Sequence, residues 1–344
     1  MIKSMNSKPF KILSIDGGGI KGLYSASILA QLEKKSGKRA TNCFDMICGT
    51  STGGLIALGL ASGKSADDLA KMYISQGNKI FPTSEWGIVR WFQRSIKHFL
   101  TQTFFFGKFS NKALKSVLET QFGNTTMGQL NNLVMIPSFD LVSGMPRVFK
   151  YPHEEGEAGG FFMDKDISLV DAGLATAAAP TYLPIHAHND ELYVDGGVWA
   201  NNPTLCGFLE AIKYFVGPEK QFSHIEILSI ASISNPSGWA AKKRLQRSFI
   251  GWRSKLMELP MEGQAHFTHF FLDTALERIL PNSKYVRIES PNLSLEHLKL
   301  IEMDRADGKA ISTIKSLGVK TGVTKANDPN VMHFFDTDKT YKTI

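Results

Sequence analysis

The sequence predicts an α/β protein. Two passages carry that reading, each an apolar strand-like run that closes in a glycine-rich turn and continues as a helical pattern. Phe10–Ile15 leads through Asp16-Gly17-Gly18-Gly19-Ile20-Lys21-Gly22 into Leu23–Lys35, and Cys43–Cys48 leads through Gly49-Thr50-Ser51-Thr52-Gly53-Gly54 into Leu55–Leu60. A third observation is that further apolar strand patterns, at Leu133–Asp140 and His224–Ile233, are separated by stretches of helical periodicity.

Length and composition bound the answer. With 344 residues the chain is long enough for a sizeable core, as one large domain or two small ones. Its 43% hydrophobic and 21% charged residues are the balance of an ordinary soluble globular protein. Met1–Lys8 is polar and leads straight into a strand pattern, and no run reaches the ~18 apolar residues of a membrane span, so a cytoplasmic protein is expected. Cys43, Cys48 and Cys206 are an odd number in apolar or helical surroundings, which predicts reduced, buried thiols. A net charge of +7 favours an anionic partner, whether lipid head group, nucleotide or nucleic acid, without choosing among them.

The first glycine turn lets successive backbone N–H groups point into one concavity, which suits a phosphate or an oxyanion equally. Gly17, Gly19 and Gly22 also satisfy the dinucleotide fingerprint. That fingerprint expects an acidic residue at the end of the second strand, and there the chain has Ser51 instead. Gly49-Thr50-Ser51-Thr52-Gly53 fits a nucleophile elbow, in which small neighbours let a serine occupy a strained turn. The N–H of Thr52 and the start of the following helix would face a developing oxyanion. An ordinary connector in an α/β sheet would use the same residue types.

Ala66–Gln76 reads as a surface helix. Residues 81–109 are aromatic, with Trp86, Trp91, Phe92, Phe99, Phe104, Phe105 and Phe106 interleaved with Arg90, Arg94 and Lys97: a helix resting on an anionic membrane, or rings covering the sheet. A helix over Asn111–Phe122, strands at Leu133–Asp140 and Arg147–Tyr151, a loop at 152–166 and a small-residue helix from Leu169 to Ala179 follow. Leu192–Val194 then delivers Asp195-Gly196-Gly197, where a carboxylate at a strand end either projects into a site or closes an Asx-turn. Beyond His224–Ile233 lies the basic run Lys242–Arg247, with Arg253 and Lys255, a ligand patch or a solvated helix face. Leu256–Leu280 reads as a helix, Tyr285–Ile288 as a strand, Leu298–Leu317 as one or two helices, and the polar sequence from Val319 has no assigned role. No repeat or linker divides the chain, so a single domain over 1–344 is expected, with its motifs in 10–205 and a helical part at 240–344.

Taken together, Asp16–Gly22, Gly49–Gly54, Ala178-Ala179-Pro180-Thr181-Tyr182-Leu183-Pro184 and Asp195-Gly196-Gly197 resemble, in order and spacing, the motif series of the patatin-like phospholipases. The resemblance implies a three-layer α/β/α sandwich around a mainly parallel sheet. It also implies a Ser–Asp dyad: Ser51 as nucleophile, Asp195 as its base, and Gly17, Gly18 and Gly19 as the oxyanion-hole loop, with no metal or cofactor. Lys21 departs from the arginine usual in the family, keeping the charge but losing the planar fork. The implied activity is hydrolysis of phospholipid or lysophospholipid acyl esters through an acyl-enzyme, at the inner membrane surface.

The compact chain with its basic segment at 242–255 also looks similar to bacterial patatin-type effectors switched on by cyclic nucleotides in anti-phage defence. That adds the expectation of a cyclic-nucleotide activator and a homo-oligomer, with no nucleic-acid polymer as partner. Two other readings stay open. Ser51, Asp195 and then His266, His269, His297 or His333 follow the order of a Ser-His-Asp hydrolase, although none of these histidines stands in a motif-like context. A catalytically silent membrane- or nucleotide-binding module would also use the basic surface.

Overall fold

The computed structural model describes residues 8–81, 109–153, 163–234, 252, 255–301 and 303–343. The aromatic stretch 82–108, most of the 152–166 loop and the basic run from Lys242 to Arg253, Trp252 apart, lie outside the described residues.

Among the described residues eight strands form one sheet: β1 (Pro9–Ile15), β2 (Met46–Gly49), β3 (Leu133–Asp140), β4 (Met145–Lys150), β5 (His186–His188), β6 (Glu191–Asp195), β7 (His224–Ile230) and β8 (Lys284–Ile288). The order is β5-β6-β3-β2-β1-β7-β8, with β4 also on β3. β3, β2, β1, β7 and β8 run parallel, and the antiparallel pairs are confined to the β3–β6 end. The central strand β1 is covered on both faces, which is why Phe10, Ile12, Leu13 and Ile15 form a nearly continuous apolar run, each with no exposed surface. On one face the Phe10 ring stacks on Phe215 at 5.0 Å, and Ser14 accepts a hydrogen bond from Thr204 at 2.8 Å. The helix Thr52–Ala61 packs against β1, β2 and β3 on the other face.

The pairing on β3 positions the site. β4 occupies one edge of β3 from Met135 to Asp140, so β2 and β6 share the other edge, β2 beside Leu133–Met135 and β6 beside Ser138–Asp140. Because β2 runs parallel to β3 and β6 antiparallel, their carboxyl ends, Gly49 and Asp195, converge on the same point.

Two expectations are corrected. The apolar run Cys43–Cys48 is not one strand: Cys43 closes a helical turn from Ala40, and the strand begins at Met46. The interruption is chemical, because the Asp45 carboxylate accepts the backbone N–H groups of Lys11, Thr340 and Tyr341 at 2.6–2.8 Å. Those bonds also reveal what the polar C-terminus does. Its helix runs from Gly308 to Lys325, beyond the expected Leu317, and lies so close to the helix Gly22–Ser36 that a Cβ at Gly318 or Gly322 would stand 2.7–2.8 Å from Ser27, Tyr24 or Gln31. The chain then buries Phe334, Phe335 and Tyr341, with Phe334 and Phe335 both against the Phe44 ring. Cys43 and Cys48 are buried and Cys206 partly so, all as free thiols.

Candidate active site

Ser51 stands on the expected elbow. Its φ of 54° and ψ of −125° place a non-glycine residue in a strained conformation, directly before the helix Thr52–Ala61. The turn is tight enough to demand its glycines: a Cβ at Gly53 would lie 2.3 Å from the Ile15 carbonyl, and one at Gly49 2.2 Å from the Gly53 carbonyl. Three hydrogen bonds hold the elbow. The Ser51 N–H donates to Thr176 Oγ1 at 3.0 Å, Thr176 in turn donates to the Pro137 carbonyl at 2.6 Å, and Thr50 Oγ1 donates to the Ala200 carbonyl at 2.6 Å.

Asp195 ends β6 and is 3% exposed, as Ser51 is 5% exposed. Its carboxylate accepts the Gly197 N–H at 2.7 Å and lies close enough to the Ser51 hydroxyl for that group to favour its ionised form. The Asx-type bond and the serine contact therefore coexist on one side chain. Burial pushes the carboxyl up to about 6, against the pull of the Ser51 hydroxyl and the Gly197 N–H. A Cβ at Gly196 would lie 2.2 Å from the Pro137 carbonyl, so the chain leaves Asp195 through a position that only glycine fits.

The glycine loop passes against the serine, with an ideal Cβ at Gly17 falling 3.3 Å from Ser51 Cβ. Its three amides are not equivalent. The Gly17 N–H donates to the Asn201 carbonyl at 3.0 Å, whereas no described residue accepts the N–H of Gly18 or Gly19. Gly19 has a φ of +61°, and a Cβ there would meet the Met303 carbonyl at 2.2 Å. At the root of the loop Asp16 is gripped by Arg287, Nη1 to Oδ1 at 3.3 Å and Nη2 to Oδ2 at 2.5 Å. Arg287 also donates to Ser229 at 2.6 Å. Lys21 is buried at 9% exposure; burial lowers its ammonium pKa, and the Glu262 and Glu258 carboxylates oppose that shift.

The helix Lys255–Ile279 crosses the site. Gln264 docks it on the loop after Asp195, accepting the Asn202 N–H at 2.9 Å and donating to the Asn202 carbonyl at 3.2 Å. Met257, Met261 and Met303 line a narrow, largely apolar cleft together with Pro180, Tyr182 and Asp195. Arg287, Thr176 and this helical cover carry no motif in the sequence; only the small-residue pattern of the helix Leu169–Ala177 hinted at a close approach. Among the described residues no hydrogen bond or ion pair joins a histidine of the triad reading to Ser51 or Asp195: His269 contacts Tyr285 and Glu289, each at 3.2 Å, His333 contacts Glu226 at 3.0 Å, His266 is exposed, and His297 lies in the short helix Leu295–Leu300.

Comparison with known proteins matches this geometry. The family model described as patatin-like phospholipase covers residues 13–205. A protein of Pseudomonas aeruginosa named cGAMP-activated phospholipase is 32% identical over 320 residues, 93% of this chain and 90% of that protein. One of the same name from Vibrio cholerae is 32% identical over 90% of this chain and 89% of its own length. Patatin-like protein 2 of Oryza sativa subsp. indica is 30% identical over 83% of this chain and 78% of its own. With the strained serine, the buried aspartate and the glycine loop in one place, the chain belongs to the patatin-like phospholipase family, serine hydrolases of lipid esters.

Proposed function

We propose that the protein hydrolyses acyl esters of membrane phospholipids with Ser51 and Asp195 as a catalytic dyad. The observation that carries this is the convergence of the strained Ser51 elbow after β2 and the buried Asp195 carboxylate at the end of β6, with the Ser51 hydroxyl near enough to favour the ionised carboxylate. Ser51 Oγ attacks the ester carbonyl while Asp195 takes its proton, and the oxyanion forms against the amides of Gly18 and Gly19. Gly17 shapes the loop, since its own N–H is engaged with Asn201. Asp195 passes the proton to the departing alkoxide, a water enters the space it leaves, and Asp195 activates that water against the acyl-enzyme. A carboxylate raised to about 6 is ionised at neutral pH yet more basic than an exposed aspartate.

The reading includes an activator, a cyclic dinucleotide. Relatives named cGAMP-activated phospholipase support it, and so does the cover: a lipid chain reaches Ser51 only if the helix Lys255–Ile279 and its methionines move away from Pro180 and Tyr182. The same helix turns Leu259, Phe267 and Phe270 outward at 41%, 65% and 60% exposure, which with a net charge of +7 suits peripheral contact with an anionic bilayer. Among the described residues no helix is long and apolar enough to cross a membrane.

Fatty-acid release from anionic phospholipid vesicles, measured with and without cGAMP, tests the reading. Release by the wild type that rises with cGAMP and vanishes in Ser51→Ala is expected. Membrane effects that persist undiminished in Ser51→Ala would favour a binding module instead.

A further inference from the structure

Asp171, His186 and His188 converge on the flank of the sheet formed by β5 and the helix Leu169–Ala177. One ligand atom from each lies within 4.8 Å of the other two. His186 Nε2 is 3.2 Å from Asp171 Oδ1, and His188 Nδ1 is 3.6 Å from Asp171 Oδ2. The two histidines alternate with Ala187 along β5, so both rings stand on one face of the strand, with centroids 6.4 Å apart and planes within 16°.

Two further features separate this cluster from an ordinary ion pair. His186 is 8% exposed, and its Nε2 stands 3.2 Å from Asp171 Oδ1 without the geometry of a hydrogen bond. A buried ring nitrogen without a partner is costly unless something occupies the space in front of it. Second, Asp171 is already aimed: Ser168 Oγ donates to its Oδ2 at 2.5 Å and accepts its N–H at 3.0 Å. Hydrogen bonds of this kind orient carboxylate ligands in metal sites.

We propose that Asp171, His186 and His188 bind one divalent transition-metal ion, zinc by the character of the donors. Two imidazoles and a carboxylate suit zinc far better than magnesium or calcium, which prefer all-oxygen shells. Tetrahedral zinc with bonds of ~2.0–2.1 Å places its donors about 3.3 Å apart, close to the 3.2 and 3.6 Å between the two rings and the carboxylate, and the full set needs to draw in from within 4.8 Å. The Asp171 and His188 side chains are 30% and 24% exposed, so the fourth position faces water.

The ion is a clip and takes no part in ester hydrolysis. It joins the helix that carries Thr176 to the strand paired with β6, which ends at Asp195. The loop between them, 178–185, supplies Pro180 and Tyr182 to the cleft and the Ala178 carbonyl that accepts the Asp195 N–H at 3.0 Å. Zinc binding therefore closes the loop that frames the substrate cleft at its root.

The full chain is dialysed against a chelator and titrated with zinc chloride by calorimetry, and separately with cobalt chloride by visible absorption. One equivalent of zinc is expected to bind and to raise the melting temperature, and cobalt to develop ligand-field bands. His188→Ala and Asp171→Asn each weaken binding at least about tenfold and remove the melting shift. His333→Ala, outside the cluster, changes neither. Circular dichroism of the metal-free variants checks their folding, and Asp171→Asn, which keeps side-chain volume, carries the comparison if His188→Ala unfolds. A wild type that binds no zinc saturably, or binding that survives both substitutions in folded protein, overturns the proposal.

Discussion

Arg287, on the edge strand β8, grips the carboxylate of Asp16 at two points, and that pair anchors the glycine loop beside Ser51. Both side chains are nearly fully buried, at 7% and 3% exposure. Burial raises the Asp16 carboxyl above the ordinary range, and the guanidinium works against that push. Arg287→Ala leaves an unpaired buried acid, so a stability loss of about 3–5 kcal/mol is expected, read from denaturant unfolding. Hydrolysis falls with it, because the loop that presents Gly18 and Gly19 loses its anchor. Arg287→Lys keeps the charge but not the two-point grip, and falls between the two.

With Asp195 as the proposed base, the activity is expected to depend on its ionisation. In that role it must be ionised, so kcat/KM is expected to fall as the pH drops through about 6. Its effect on stability has the opposite sign. A folded pKa above the unfolded one means that the native state binds more protons between pH 4 and 6, so the carboxyl favours folding below that window and this advantage is lost above it. The shift from 3.8 to about 6 corresponds to about 3 kcal/mol at neutral pH. Asp195→Asn is thus expected to abolish turnover while stabilising the protein at pH 7–8, with the gain fading near pH 4. Thermal unfolding across pH measures both signs.

Thr176 connects the elbow to β3. Thr176→Val is nearly isosteric but leaves the Ser51 N–H and the Pro137 carbonyl without a partner, which costs about 1–3 kcal/mol for each group orphaned. Activity falls because the strained turn loses its brace, and Thr176→Ser, which retains the hydroxyl, restores most of it.

Met261 closes the cleft, and a Cβ at Gly197 would stand 2.9 Å from its Cε. Met261→Ala is expected to raise fatty-acid release in the absence of any cyclic dinucleotide. It also lowers stability by about 2–5 kcal/mol, the usual cost of emptying a buried methionine site. Unchanged basal release would argue that the cover is not what restrains the enzyme.

The turns that carry Ser51 and Asp195 were legible in the sequence because their backbone constraints are local. Gly49, Gly53 and Gly196 are demanded by carbonyl contacts of 2.2–2.3 Å, and such glycines leave a recognisable spacing around Ser51 and Asp195. What was not legible depends on distant pairing. Asp16 and Arg287 are 271 positions apart, and nothing in Tyr285–Ile288 distinguishes a strand that holds an active-site loop from one that only fills the sheet. The C-terminal helix read as polar because Gly318 and Gly322, which let it approach Gly22–Ser36 closely, count as neither apolar nor periodic. Gly17 was expected to donate to an oxyanion along with its neighbours; its bond to Asn201 arises from the loop after Asp195, which no spacing near residue 17 reports.

The most direct test is covalent labelling with a fluorophosphonate, read by intact mass and peptide sequencing, with cGAMP present. A single adduct on Ser51 is expected, absent in Ser51→Ala and formed far more slowly in Asp195→Asn. Lipid hydrolysis that continues while Ser51 stays unlabelled, or an adduct on another serine that accounts for the activity, would contradict it.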